Sequence, residues 1–496
     1  MGVKCDIIVR NTHFVVTPRT KRINKVISMF NANLITYKLI YSPQIRRMKS
    51  VEDRKFYYTV GRSTHYSIHL LTTFISRALG AGYKRHDFNV SYDTKYTPAI
   101  LEAELRDGYS DREHQPVYID KIHSTNPITL VDLQTGKGKT YISMRVTTDL
   151  RAPTGIVVLS RYIDKWISDV EELTTVEAGK IYVVKGIDSM VKLLASDVQY
   201  DFVIFSLSTL RNYIKNCDEG KYQNPVKPEE VFKKLGLGIM LCDEVHQSFH
   251  AGYMCALRLN PAKLISLSAT LDTLDPGIRA MYNTLYPKEA RCGALVKFDP
   301  HPIVVAVNHR VNNPNRINCA GPRGYNHSLF EQSVFKNRFY RDTYLGIILK
   351  YVHKGYLKRK RVGDKLLILV QTVKMASLIT GYLRSKLSGV VVNRYIEEDP
   401  YENILEADIT VSTNMSAGTA LDIPNLITVI QCVSMGSLQA NVQALGRLRK
   451  IAGVDVMYYY LYSGNLKDQK RLHLIRKGVI GKLAKEYRYE EYGCLG

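Results

Sequence analysis

The chain has 496 residues, 45% hydrophobic and 23% charged, which is ordinary globular composition and enough length for about three domains. No stretch approaches eighteen consecutive apolar residues, so it holds no candidate transmembrane helix. With 69 Lys and Arg against 46 Asp and Glu, a net +23, it should be drawn to a polyanion. Nucleic acid fits better than an anionic membrane, because no concentrated basic amphipathic helix is present.

Residues 1–95 are the most basic part, with 17 Lys and Arg against 5 Asp and Glu. Met1 to Asp6 lacks a signal-peptide core, and Asp6 stands where a myristoylation signal needs Ser or Thr. Runs at 6–10 and 14–16 read as strands, and Tyr66 to Leu79 as a helix ending at Gly80-Ala81-Gly82. Aromatics lie among cations at Lys55-Phe56-Tyr57-Tyr58 and Tyr83-Lys84-Arg85, a mixture suited to base stacking with phosphate contact. This segment is expected to be a small basic α+β nucleic-acid-binding domain. A short helix is expected over Thr97 to Leu105.

From about residue 111, buried strands alternate with helices, as in a parallel sheet. Expected strands include 156–159, 181–184, 202–205 and 263–267. Trp166, the only tryptophan, reads as a core residue. Periodicity fades over 299–332, where Pro300, Pro302, Pro314, Gly321, Pro322 and Gly324 suggest a connection between domains. A second α/β block is expected over 333–496. It opens with a helix near Phe335 to Val352, has strands at 366–370, 390–392, 409–411, 427–430 and 457–461, and ends in a basic helical tail from Leu466 to Tyr489. The eight cysteines form no Cys-x-x-Cys pair and read as reduced thiols.

Two motifs carry chemistry. Ile128-Thr129-Leu130-Val131-Asp132 leads into Leu133-Gln134-Thr135-Gly136-Lys137-Gly138-Lys139-Thr140, an apolar run, a loop and a helix start. This is the arrangement of a phosphate-binding loop, although Leu133 stands where glycine is usual. Backbone N–H groups and the helix terminus suit a polyphosphate; Lys139 would reach the β- and γ-phosphates and Thr140 would hold Mg²⁺. At Ile239 to His246, a second apolar run ends in Asp243-Glu244, 104 residues beyond Lys139. In nucleotide hydrolases the first acid of such a pair takes Mg²⁺ and the second orients or deprotonates the attacking water.

The ordered set resembles the superfamily 2 helicases of the DExH type. Arg112-Glu113-His114-Gln115 is similar to the adenine-recognising segment, and Leu133 to Thr140 to motif I. Asp243-Glu244-Val245-His246 matches the DExH box, and Ser268-Ala269-Thr270 the Ser-Ala-Thr motif. Ser160, Arg161, Ser208 and Thr209 resemble backbone-touching segments, and Gln371-Thr372 motif IV. Thr413 with Gly418 to Pro424, including Asp422, resembles motif V. Gln443 to Lys450 resembles motif VI, its second arginine position falling on Lys450 with Arg449 one residue earlier. The match runs over about 109–465. The basic N-terminal appendage adds a likeness to phage recombination helicases of the UvsW kind.

The resemblance implies two tandem RecA-like parallel-sheet domains, 96–298 and 333–496, behind the small basic domain. ATP and Mg²⁺ would lie between the lobes. Arg112, Gln115, Thr135, Gly136, Lys137, Gly138, Lys139, Thr140, Gly418 and Asp422 are expected to bind ATP, with Thr140 and Asp243 on the metal. Lys139, Asp243, Glu244, Gln443, Arg447 and Lys450 would act in hydrolysis. Ser160, Arg161, Ser208, Thr209, Gln371, Thr372 and Thr413 would hold one DNA strand. His246, Ser268, Ala269 and Thr270 would couple the lobes. The expected protein is a cytoplasmic ATP-dependent DNA helicase or branch-migrating translocase (host cytoplasm if phage-encoded) with no membrane attachment. It would act on single-stranded, forked or branched DNA in recombination, repair or replication, alongside proteins of those processes. An RNA helicase and the translocase subunit of a nuclease system are the alternatives.

Overall fold

The computed structural model describes residues 2–42, 47–93, 99–125, 127–133, 136–245, 248–268, 276–293, 295, 300–321, 324–396, 399–400, 402–414, 416 and 423–495. They form two compact units, one within 2–295 and the other within 300–495.

The first unit opens with a five-stranded sheet in the order Tyr57–Val60, Ser63–Ser67, His13–Pro18, Cys5–Arg10, Phe88–Asp93. Alternation decides its faces. Cys5, Ile7, Val9, Phe14 and Val16 turn inward to meet Phe30 of helix Ile23–Ala32 and Phe74 of helix Leu71–Gly80. A hairpin of Ile35–Ser42 with Arg47–Lys55 is inserted. The helix expected from Tyr66 starts only at Leu71, because 63–67 pairs as a strand with 13–16 and a 3₁₀ turn intervenes. No helix forms over 99–105; Leu105 instead bridges to Thr174.

This domain shares one apolar core with the α/β lobe that follows. The Phe56 ring meets Tyr253 edge-on at 5.1 Å, and Arg77 donates to the Thr284 hydroxyl at 3.0 Å. Arg54 reaches Asp218 at 2.6 Å, a carboxylate shared with Arg258, which also holds Glu229.

The lobe is a seven-stranded parallel sheet: β1 (Ile128–Asp132), β2 (Thr154–Val158), β3 (Ile181–Val184), β4 (Phe202–Ser206), β5 (Ile239–Cys242), β6 (Lys263–Ser268) and β7 (Arg291–Cys292). Its order is β3-β4-β2-β5-β6-β1-β7. β2, β4, β5 and β6 are buried along their length, which is why they read as continuous apolar runs.

The second unit repeats the plan with β8 (Ile303–Val311), β9 (Lys365–Val370), β10 (Val392–Tyr395), β11 (Ile409–Thr413), β12 (Leu426–Gln431), β13 (Met457–Ser463) and β14 (Glu486–Leu495). The order β10-β11-β9-β12-β13-β8-β14 is that of the first sheet, strand for strand, and all pairings are parallel. Two seven-stranded parallel sheets flanked by helices are RecA-like α/β domains.

Two expectations for this half need correction. The stretch 299–332 is not merely a connection: it contains β8, which lies between β13 and β14, and the start of helix His327–Lys336. The C-terminal segment is helical only over Lys467–Ile480; Glu486–Leu495 is the edge strand β14. Its tyrosines and charges suit a strand paired on one side only.

Candidate active site

Strand β1 ends at Asp132, and the chain turns into helix Lys139–Asp149 through Gly136 (φ 79°) and Gly138 (φ 81°). Both lie in the left-handed region that glycine enters without cost. A Cβ on Gly138 would also strike the Gln115 side-chain amide. Gln115 is buried at the start of helix Gln115–Ser124, and its Oε1 accepts from the Arg112 backbone N–H at 2.7 Å. His114 Nε2 lies 2.9 Å from the Lys137 carbonyl. The expected adenine segment and phosphate loop therefore touch, while the Arg112 side chain is exposed. Lys139 Nζ donates to the Leu133 carbonyl at 2.8 Å, and Thr140 follows it in the first helical turn.

The acidic pair stands at the end of β5. Only β6 separates β5 from β1, so the two loops are roughly 10 Å apart along the carboxyl edge, where parallel sheets bind ligands. Asp243 is half-buried. Its Oδ2 accepts from Trp166 Nε1 at 3.0 Å and its Oδ1 from the Glu244 backbone N–H at 2.9 Å. Burial, then the Glu244 charge, push its carboxyl up to about 6 against the pull of Lys139, Trp166 and Lys165. Glu244 has φ 48°, a left-handed conformation that costs a non-glycine residue about 1–3 kcal/mol and collects at functional sites. Ser268 ends β6, and its carbonyl accepts from the Leu133 N–H at 3.1 Å, joining that strand to the phosphate loop.

A half-buried carboxylate, an ammonium, a helix terminus and two left-handed glycines suit a divalent cation with a polyphosphate. Thr140 and Asp243 would hold the cation, which when bound neutralises phosphate charge. Thr135, His246, Ala269, Thr270, Gly418 and Asp422 lie outside the described residues.

The residues expected to touch nucleic acid fall into two groups, one in each unit. On the first sheet, the Ser160, Ser206 and Ser208 hydroxyls form a chain with 2.8 Å steps across the ends of β2 and β4. Arg161 is exposed, its guanidinium 4.9 Å from the Tyr162 ring centroid. Thr209 is buried and accepts from the Gly186 N–H at 2.9 Å. On the second sheet, adjacent β9 and β11 bring Gln371, Thr372 and Thr413 together, with Val370 opposite Thr413. Thr372 caps helix Val373–Lys386, and Thr413 bonds Ser416. Thr209, Thr372 and Thr413 thus engage their hydroxyls within the protein. Gln443 lies in helix Leu438–Leu445; beyond that helix Arg447 is 9% exposed, whereas Arg449 and Lys450 are exposed.

Two groups escaped the sequence reading. Trp166, expected in the core, is buried but also supplies a donor to Asp243. Glu331 is buried and accepts from Gln371 N (2.7 Å), Thr372 N (2.8 Å) and Thr372 Oγ1 (2.6 Å). No local spacing signals either, since the partners lie 77, 40 and 41 residues away.

The family model described as "Type III restriction enzyme, res subunit" matches residues 108–273, from the adenine-type segment past the end of β6. The match supports a superfamily 2 helicase-type ATPase, with the ATP and divalent metal and the nucleic-acid binding that such motors require. No curated protein matches the chain. Among solved structures, the crystal structure of the Pyrococcus furiosus Hef helicase domain matches at 13% identity and a TM-score of 0.44, over 76% of this chain and 99% of that one. Among the described residues, no helix is long and apolar enough to cross a membrane.

Proposed function

We propose that the protein is an ATP- and Mg²⁺-dependent DNA helicase or branch-migrating translocase, of the DExH type and similar to the UvsW-like recombination motors of phages. The observation that carries the reading is the pairing, on one carboxyl edge, of a phosphate loop ending in Lys139-Thr140 with a half-buried Asp243 and a strained Glu244. Lys139 would bind the β- and γ-phosphates, and Thr140 and Asp243 the metal. Glu244 would take the proton of the attacking water. Gln443, Arg447 and Lys450 of the second unit would stabilise charge on the transferred phosphoryl group.

Ser160, Arg161, Ser208, Gln371, Thr372 and Thr413 would track one strand by its backbone, largely independent of sequence. The +23 charge supports a polyanionic track, and a cytoplasmic site of action in recombination, repair or replication follows from that reading. A second reading, the translocase subunit of a nuclease system, is favoured by the wording of the matching family model. ATP hydrolysis with single-stranded, duplex and branched DNA and with RNA, at one salt concentration, tests the proposal. Greatest stimulation by branched DNA supports it, and greatest stimulation by RNA would replace it with an RNA helicase.

A further inference from the structure

The face of the N-terminal sheet turned away from its helices has its own pattern. Alternation puts Tyr58, Val60, Ser63, His65, His13, Thr17, Asp6 and Arg10 on it, while Tyr66, Phe14 and Val9 point the other way into the core. Tyr58 and His65 are register partners whose rings stack at 4.4 Å and 14°, and His13 continues the stack at 5.7 Å from His65. Tyr58 is 57% exposed and Val60 60%.

Cations border the rings. Arg10 Nη1 lies 3.5 Å from His13 Nε2, and Arg62 is exposed in the turn joining Tyr57–Val60 to Ser63–Ser67. The acids on this face are already balanced: Arg19 clamps Asp6 through both carboxylate oxygens, and Arg10 pairs with Asp93. Burial, then Arg10, holds both imidazoles below their usual range, so the rings are neutral near pH 7. The stacked, partly solvent-facing rings lie within a segment, residues 1–95, that carries twelve excess cations.

We propose that this Tyr58–His65–His13 face is a stacking platform for unpaired bases, holding single-stranded DNA outside the ATPase lobes. The proposal rests on the nucleic-acid motor reading and gives the N-terminal domain its part in it: capturing a displaced strand through base faces and backbone charge, without regard to sequence.

The test uses the full-length protein without ATP and an oligodeoxythymidylate carrying 5-iododeoxyuridine. Photo-crosslinking followed by peptide mapping is expected to place adducts on Tyr58 or His65. Tyr58→Ala should weaken binding about five-fold or more, while Tyr58→Phe, which keeps the ring, should bind like wild type. Comparable capture of oligouridylate supports the same chemistry, because stacking does not read the 2′-hydroxyl. Adducts confined to other residues, or a Tyr58→Ala variant that melts lower yet binds as wild type, would overturn the platform. Strand-stimulated ATP hydrolysis is measured in parallel. Stimulation with a silent face removes the platform and leaves the motor; adducts on the face without hydrolysis do the reverse.

Discussion

Glu331 offers a sharp test of how the second unit holds its expected strand-contacting loop. It is 1% exposed, and burial drives its carboxyl up to about 7, although three donors from Gln371 and Thr372 pull the other way. His327, 3.7 Å away, is pushed down to about 3, chiefly by burial, and so does not titrate in the same window. An acid whose folded pKa lies above its unfolded value near 4.5 keeps a proton that the unfolded chain has released. Its contribution therefore favours folding fully below about pH 4.5 and is lost as pH climbs to about 7. The gap corresponds to about 3 kcal/mol.

Glu331→Gln mimics the protonated acid. Urea unfolding of the full chain should show the variant matching wild type near pH 4 and exceeding it by up to about 3 kcal/mol at pH 8. Strand binding should weaken at pH 8, where Gln371 and Thr372 lose their charged acceptor. A variant clearly less stable than wild type at pH 8 would refute the reasoning, since it would mean that the three hydrogen bonds outweigh the cost of burying the charge.

Other outcomes follow from the first unit. Trp166→Phe removes the donor to Asp243, worth about 1.5–3 kcal/mol for a bond to a charged group. The acidic limb of the ATPase pH profile should move to higher pH, and an unmoved limb would separate Trp166 from the site. Gly138→Ala meets both a φ of 81° and the Gln115 amide, so binding of a fluorescent ATP analogue should be abolished while the fold survives by circular dichroism. Phe56→Ala empties the contact with Tyr253, and loss of a buried ring costs about 3–5 kcal/mol. Limited proteolysis should then release the N-terminal domain from the lobe.

The central strands of both sheets were legible because strands buried on both faces form nearly continuous apolar runs, as Ile239–Cys242 and residues 366–370 show. Edges and entrances were harder to read. Glu486–Leu495 carries charges and tyrosines that fit a helical face as well as an edge strand, and prolines around Ile303–Val311 obscured a buried strand of nine residues. The phosphate loop and the acidic pair are local in sequence, and so were visible. Trp166 on Asp243, Glu331 on Thr372, and the Tyr58–His65–His13 stack depend on tertiary placement or strand register, which local periodicity does not carry.

Under the proposed function, Lys139, Asp243 and Glu244 serve a nucleic-acid-stimulated ATPase. The most direct measurement is ATP hydrolysis by wild type and Glu244→Gln, each alone and with branched DNA at fixed salt. Wild type should be stimulated, and Glu244→Gln should bind ATP and DNA but hydrolyse almost none. Unstimulated wild type, or a Glu244→Gln variant that turns over like wild type, would contradict the account.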